Sequence, residues 1–281
     1  MCEQQLRVCD LNRYQEHLFR EERAPATIEN YLRNIRVFIV WLNGRGVTKA
    51  LAIAWREHLL AQGQAPATVN AKLSALNSLF RFLGWEDCRV RFLKIQRKTF
   101  RDASRELCRE EYGRLLAAAR KDRRSWLGLL METVCSTGIR VSEVRCVTVE
   151  AIRRGRANVA LKGKIRTILF PDKLCRKLAK YAKRHKIVSG EIFRDRTGAG
   201  LSRGQIWRAM KTLCETARVA PSKVFPHNLR HLFATTFYRA TRDIVRLADV
   251  LGHSSIETTR IYLLTTGDEH ARQLERLGLV S

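Results

Sequence analysis

Acid is scarce in this chain. Of 281 residues, 27 are Asp or Glu against 53 Lys or Arg, a formal net charge of +26 at neutral pH. Long apolar runs are missing too: the best stretch, Trp126 to Ile139, is interrupted by Glu132 and falls short of the roughly 18 residues a spanning helix needs. Membrane insertion is therefore not expected. The first ten residues carry Glu3 and Asp10 around little apolar content, unlike a secretory leader, which points to a cytoplasmic protein. Eight cysteines are present, but no C-x-x-C pair and no Cys/His cluster with zinc-finger spacing, so reduced thiols are expected. There is no Gly-Lys-Ser or Gly-Lys-Thr phosphate loop and no D-x-D cluster, which argues against an ATPase or a two-metal nuclease.

What is present is a folded, basic chain. Hydrophobic residues make up 45% of it, too many for a disordered basic tail. Arg outnumbers Lys 39 to 14, and guanidinium forks suit bidentate contact with phosphate, so a polyphosphate partner is the first reading. An anionic membrane surface is the rival.

The first ninety residues read as four amphipathic helices. After Ala24-Pro25-Ala26, Thr27 is expected to cap a helix carrying Ile28, Tyr31, Leu32, Ile35, Phe38, Ile39 and Leu42 at helical spacing, with Arg33 and Arg36 on its other face. Ala65-Pro66-Ala67-Thr68 repeats that start ahead of Val69, Leu73, Leu76, Leu79 and Phe80. Flanking helices are predicted near residues 10–20 and 48–62. Residues 1–88 thus form an expected helical domain, and residues 89–103 a basic linker whose Arg89, Arg91, Lys94, Arg97 and Lys98 are candidates for the phosphate backbone.

A second domain is expected over residues 104–281. It holds most of the excess charge: residues 1–100 carry 16 cations against 9 acids, the remainder 37 against 18. Helical pattern runs to about Ser136. Val147, Val149, Ile152, Val159, Leu161, Ile165, Ile168 and Leu169 around Gly155 and Gly163 then predict three short antiparallel strands, and helices return afterwards. The fold class is therefore mainly α with a small antiparallel β-sheet.

Four segments of this domain stand out: Thr137-Gly138-Ile139-Arg140 with Glu143, Leu161-Lys162-Gly163-Lys164, His227-Asn228-Leu229-Arg230-His231, and Leu251-Gly252-His253 followed nine positions on by Tyr262. In that order and spacing the set resembles the tyrosine recombinase, or phage integrase, family. The resemblance extends over the whole chain, with the four N-terminal helices matching the core-binding (SAM-like) DNA-binding domain and residues 104–281 the catalytic domain.

The resemblance implies a site-specific recombinase that cuts and rejoins double-stranded DNA through a 3′-phosphotyrosyl link, as in integration, excision or resolution, of the Xer type or a mobile-element integrase. Tyr262 is then the nucleophile. A free phenol ionises near pH 10, so such an attack needs cationic surroundings and a proton acceptor. Arg140 and Arg230 clamp the phosphate and answer the charge growing on it. His227 and His253 hydrogen-bond the phosphate or move protons. Lys162, with Lys164 as the alternative, protonates the departing 5′ oxygen. Glu143, three residues after Arg140, orients a guanidinium or histidine, and His231 has a supporting place. Around Tyr262, Ile256, Ile261 and Leu263 are expected to face inward, with Thr258, Thr259 and Tyr262 elsewhere.

Neither metal nor ATP is expected, and no cofactor. A homotetramer on two DNA sites is implied, with a paralogous recombinase or an accessory protein as further partners, and a C-terminal tail helix over residues 268–281 that exchanges between protomers. The competing readings are type IB topoisomerase-like DNA relaxation and a DNA-binding protein with vestigial catalysis.

Overall fold

A computed structural model describes residues 4–96, 103–122, 124–161, 164–262 and 275–277. The chain divides into two compact units, Met1–Arg97 and Lys98–Ser281.

The first unit is built on α1 (Val8–Arg20), α2 (Pro25–Leu42), α3 (Lys49–Ala61) and α4 (Pro66–Phe82). In α2 the buried residues Ile28, Leu32, Ile35, Phe38 and Leu42 recur every three or four positions, so one stripe faces the core. Phe38 meets Trp55 of α3 and Phe80 of α4, while Tyr14 and Leu18 of α1 pack with Ile35 and Leu79. Each such side chain contributes roughly 1.5–3 kcal/mol on burial. The two matching starts work differently from the sequence expectation. Thr27 and Thr68 are not the caps: Pro25 and Pro66 take the first helical position behind Ala24 and Ala65, where a missing N–H costs nothing.

Part of the expected linker is bound to this unit. Asn77 of α4 donates to the Val90 carbonyl and accepts from the Val90 N–H, both at 2.8 Å. One helical repeat earlier, Asn70 does the same for Leu93, at 2.9 and 2.8 Å. Residues 90–93 are thereby held in extended form along α4.

In the second unit α5 (Arg109–Lys121) packs on α6 (Ser125–Thr137), which carries the core residues Leu127, Leu130, Met131 and Val134. A 3-10 turn (Val141–Cys146) and the short α7 (Val149–Arg153) follow, then β1 (Arg156–Leu161) and β2 (Lys164–Leu169). These two strands form one antiparallel sheet, Arg156 opposite Leu169 and Leu161 opposite Lys164. The third expected strand is absent among the described residues. Thr148 accepts a hydrogen bond from the Ala151 N–H at 3.1 Å and so starts a helix where Val147, Val149 and Ile152 suggested a strand.

The unit continues with α8 (Asp172–Arg184), α9 (Arg203–Lys211), α10 (Cys214–Ala217), α11 (Pro226–Thr241), α12 (Ile244–Leu251) and α13 (Ile256–Arg260). α11 lies against α6. Lys162, Gly163, Arg97, Lys98 and nearly all of the expected tail fall outside the described residues. No described helix is long and apolar enough to cross a membrane.

Candidate active site

The site forms where helix ends meet. α6 stops at Gly138 and α12 at Gly252, each a left-handed cap with φ of +64° and +63°. Both positions demand glycine for space as well as for φ: a Cβ on Gly138 would overlap the Phe233 ring, and one on Gly252 would overlap Arg166. Carbonyls left open at these ends then receive arginines. Arg230, 2% exposed, donates to the Gly138 carbonyl and, through Nη2, to the Leu251 carbonyl at 2.8 Å. Arg140 Nη2 reaches the Gly252 carbonyl at 3.3 Å. Arg166 on β2 donates from Nη1 to the same Leu251 carbonyl. Three guanidinium groups thus gather at the carbonyl end of α12.

One carboxylate answers them. Glu143 is 2% exposed; it accepts from the Arg140 N–H at 2.7 Å and from Arg140 Nη1 at 3.0 Å, and lies 3.4 Å from Arg166 Nη2. Because Glu143 follows Arg140 by three residues on a 3-10 turn, main chain and side chain of the arginine are held together.

Two histidines, both disfavoured in their charged form, border the arginines. His227 and Arg230 are three residues apart near the start of α11 and so share a side of the helix. The imidazole pKa of His227 is lowered, first by partial burial and then by Arg230 and Arg140. His253, just past Gly252, is within 2.9 Å of Arg230 Nη2 through Nε2 and within 2.8 Å of Thr259 Oγ1 through Nδ1. Burial, then Arg230, Arg140, Arg166 and His227, push its pKa down to about 4. Burial and the Arg140 charge also lower Arg230, to about 10, while the nearby Tyr262 phenol acts in the opposite direction.

Tyr262 is 4% exposed, packed with Ala234, Leu247 and Leu251. Its ring stacks on His253 with centroids 6.1 Å apart and meets His231 edge-on at 5.0 Å. His231 Nε2 in turn lies 3.7 Å from Glu106 Oε1. Of the expected register around α13, Thr258 is exposed as expected and Leu263 lies outside the described residues, but the other four positions are exchanged. Ile256 and Ile261 are about half exposed, at 48% and 47%, while Thr259 and Tyr262 are buried. The reason is polar: His253 takes Thr259 as its partner, and that turn carries Tyr262 inward with it.

Beside these groups opens a concavity of about 610 Å³, lined by Arg140, Glu143, Arg166, His253, Ser254 and Thr258 among others. Arg140 and Arg166 line it together with the carboxylates Glu143 and Asp249; counting Arg230, which shares the Leu251 carbonyl with Arg166, three arginines face two acids, a surplus that suits an anion of phosphate type. Among the described residues, no group of three or more His, Cys, Asp or Glu is placed to hold a metal ion.

The structure therefore brings Arg140, Glu143, Arg230, His253 and Tyr262 into one network, with His227 close enough to Arg230 and Arg140 to feel their charge. Lys162 is outside the described residues, and Lys164 begins β2. Of the basic-segment candidates, Arg89 pairs with Glu86, and Arg91 and Lys94 are exposed on the first unit. Arg166 and Thr259 were not singled out in the sequence. Thr259 carried one usable signal, a hydroxyl six residues after His253 on a short turn.

The chain thus has a small helical unit and a larger unit with an arginine-lined anion site beside a buried tyrosine. The family model described as phage integrase family matches residues 105–267, and the one described as phage integrase, N-terminal SAM-like domain matches residues 11–87. The chain belongs to the phage integrase family, the tyrosine recombinases. It is 31% identical over 290 residues to tyrosine recombinase XerA of Pyrococcus furiosus, covering 100% of this chain and 98% of that one. It is 31% identical over 268 residues to tyrosine recombinase XerD of Brucella suis, covering 85% and 86%. Its fold is similar to that of lambda integrase in a tetramer bound to a Holliday junction, with a TM-score of 0.73 at 22% identity over 90% of this chain and 76% of that one. The Tn1549 transposon integrase bound to transposon right end DNA gives a TM-score of 0.70 at 16% identity, covering 96% and 99%.

Proposed function

We propose that this chain is a site-specific recombinase that cleaves and rejoins duplex DNA, with Tyr262 as nucleophile. The observation that carries the reading is the junction of Tyr262, His253 and Arg230: the buried tyrosine ring stacks on His253, whose Nε2 lies 2.9 Å from Arg230 Nη2 in the anion site.

In the proposed reaction the scissile phosphate enters beside Arg140 and Arg230, which bind its non-bridging oxygens. Tyr262 Oη forms a bond to phosphorus as the bond to the 5′ oxygen breaks. Lys162 gives the leaving oxygen its proton, and the tyrosyl proton passes to a base such as His227. The 3′-phosphotyrosyl link keeps the energy of the broken phosphodiester, so a 5′ hydroxyl from a second strand reverses the step without ATP. Charge stabilisation by fixed guanidinium groups does the work that a metal performs in other phosphoryl transfers.

The strand exchange itself calls for four protomers on two DNA sites, a reading supported by the fold shared with the lambda integrase tetramer on a Holliday junction. The net charge of +26 supports binding along the phosphate backbone, with residues 89–98 contributing. We place the protein in the cytoplasm, where DNA is its partner.

The test uses a pool of nicked duplexes randomised around the nick. Wild-type protein is expected to leave a covalent adduct after denaturation, whose DNA identifies the site, and Tyr262→Phe is expected to leave none. An adduct that persists in Tyr262→Phe overturns the assignment.

A further inference from the structure

Arg166 is a guanidinium with little company. Its side chain is only 10% exposed, yet Nε and Nη2 are buried without a hydrogen-bond partner, and the one short contact is from Nη1 to the Leu251 carbonyl. Such a burial is costly unless the charge is used. Arg166 lines the anion cavity but is packed beneath Gly252, whose missing Cβ leaves room for its Cδ. Among the described residues its one acidic contact is Glu143, already bonded to Arg140.

The charges explain the arrangement. An isolated Arg140–Glu143 pair is neutral, and a buried carboxylate holding an arginine by side chain and main chain weakens that arginine as an anion receptor. With Arg166 on the other side of Glu143, one negative charge is divided between two guanidinium groups. Arg140, Arg166 and Arg230 against Glu143 and Asp249, both of which line the cavity, leave a surplus of one positive charge around it.

We infer that Arg166 is a positioning residue of the phosphate site: it offsets Glu143 so that Arg140 keeps its charge for the scissile phosphate, without itself touching DNA. The inference rests on the proposed phosphoryl transfer at Tyr262.

It is tested with Arg166→Gln, Arg166→Lys, Glu143→Gln and the double variant Arg166→Gln/Glu143→Gln, on the site recovered by adduct trapping. Losing the offset is expected to slow adduct formation by about 10–100-fold in Arg166→Gln, less than the roughly 100–1000-fold that removal of a direct charge-stabilising donor costs. The double variant restores the wild-type surplus, so it is expected to be at least about tenfold faster than Arg166→Gln, a coupling that independent sites do not show. Arg166→Lys, which keeps the charge, is expected within about threefold of wild type, less than one lost hydrogen bond. A second readout needs no DNA: the His253 ring, followed by NMR, is expected to titrate at higher pH in Arg166→Gln and to return towards wild type in the double variant, because Arg166 is one of the charges holding it down.

A double variant no faster than Arg166→Gln, or a His253 midpoint that Arg166→Gln leaves in place, overturns the inference while leaving Tyr262 chemistry intact. A wild-type chain that forms no adduct overturns both. If Arg166→Gln does not fold, Arg166→Lys decides: a rate tenfold or more below wild type contradicts the role.

Discussion

Arg230 Nη2 lies 2.9 Å from His253 Nε2, and a guanidinium has only donors to offer. His253 Nε2 must therefore accept, which puts the ring proton on Nδ1, where it is donated to Thr259 Oγ1 at 2.8 Å. The free protein thus holds a neutral histidine of defined tautomer against the Tyr262 ring. A phosphate entering beside the arginines would offset their charge and raise the affinity of this imidazole for a proton.

This geometry gives stability a pH dependence of known sign. His253 has its folded pKa lowered from 6.5 to about 4, and His227 is lowered as well. Between those values the unfolded chain binds more protons than the folded one, so stability is present above pH 6.5 and is lost as pH falls towards 4. The melting temperature is expected to drop between pH 7 and pH 5, and to drop less in His253→Gln. An identical drop in the two proteins would contradict the assignment.

Arg230 has two separate consequences. A lysine cannot span the Gly138 carbonyl, the Leu251 carbonyl and His253 Nε2 with one ammonium. Arg230→Lys is expected to lose about 1–3 kcal/mol in denaturant unfolding, from the Gly138 carbonyl losing its arginine donor, whereas Leu251 keeps Arg166. It is also expected to slow adduct formation by about 100-fold or more, as loss of a fixed charge-stabilising donor does.

Gly252 and Gly155 both sit at positive φ, +63° and +68°, but only Gly252 has a side chain against it. Gly155→Ala is expected to cost about 1 kcal/mol, from the left-handed backbone alone. Gly252→Ala must also displace Arg166, so at least about 2 kcal/mol is expected. Equal losses in thermal or denaturant unfolding would contradict the packing described.

In the first unit, Asn77 makes both of its hydrogen bonds to the main chain of Val90. Asn77→Ala strands a buried donor and a buried acceptor, an expected loss of about 2–4 kcal/mol. Amide exchange at Val90 is expected to quicken along with it, while Leu93, held by Asn70, is less affected.

How legible this was in the sequence depended on which force placed each residue. The helices of the first unit followed from apolar spacing, because Ile28, Leu32, Ile35 and Phe38 are placed by burial alone. Arg140, His227, Arg230, His253 and Tyr262 were picked out by motif order, since a phosphate site needs those chemical types. The failures came where polar contacts overrode apolar pattern. On β2, Ile165 and Leu169 are 77% and 70% exposed while the Arg166 side chain between them is 10% exposed, on the same inward face as Ile168. On α13, Thr259 turned inward to meet His253 and left Ile256 and Ile261 outside. At Thr148, one capping hydroxyl turned a β-branched run into a helix start. Carbonyl cradles at Gly138, Leu251 and Gly252 carry no side-chain signature, so the partners of the arginines could not be read in advance.

The central claim is that Tyr262 becomes covalently joined to a DNA 3′ phosphate. The direct measurement is mass spectrometry of the nuclease- and protease-digested adduct formed on the trapped site. A peptide containing Tyr262 that carries a nucleotide remnant on the tyrosine through its 3′ phosphate is the expected result. A remnant on another residue, or joined through a 5′ phosphate, would contradict the account.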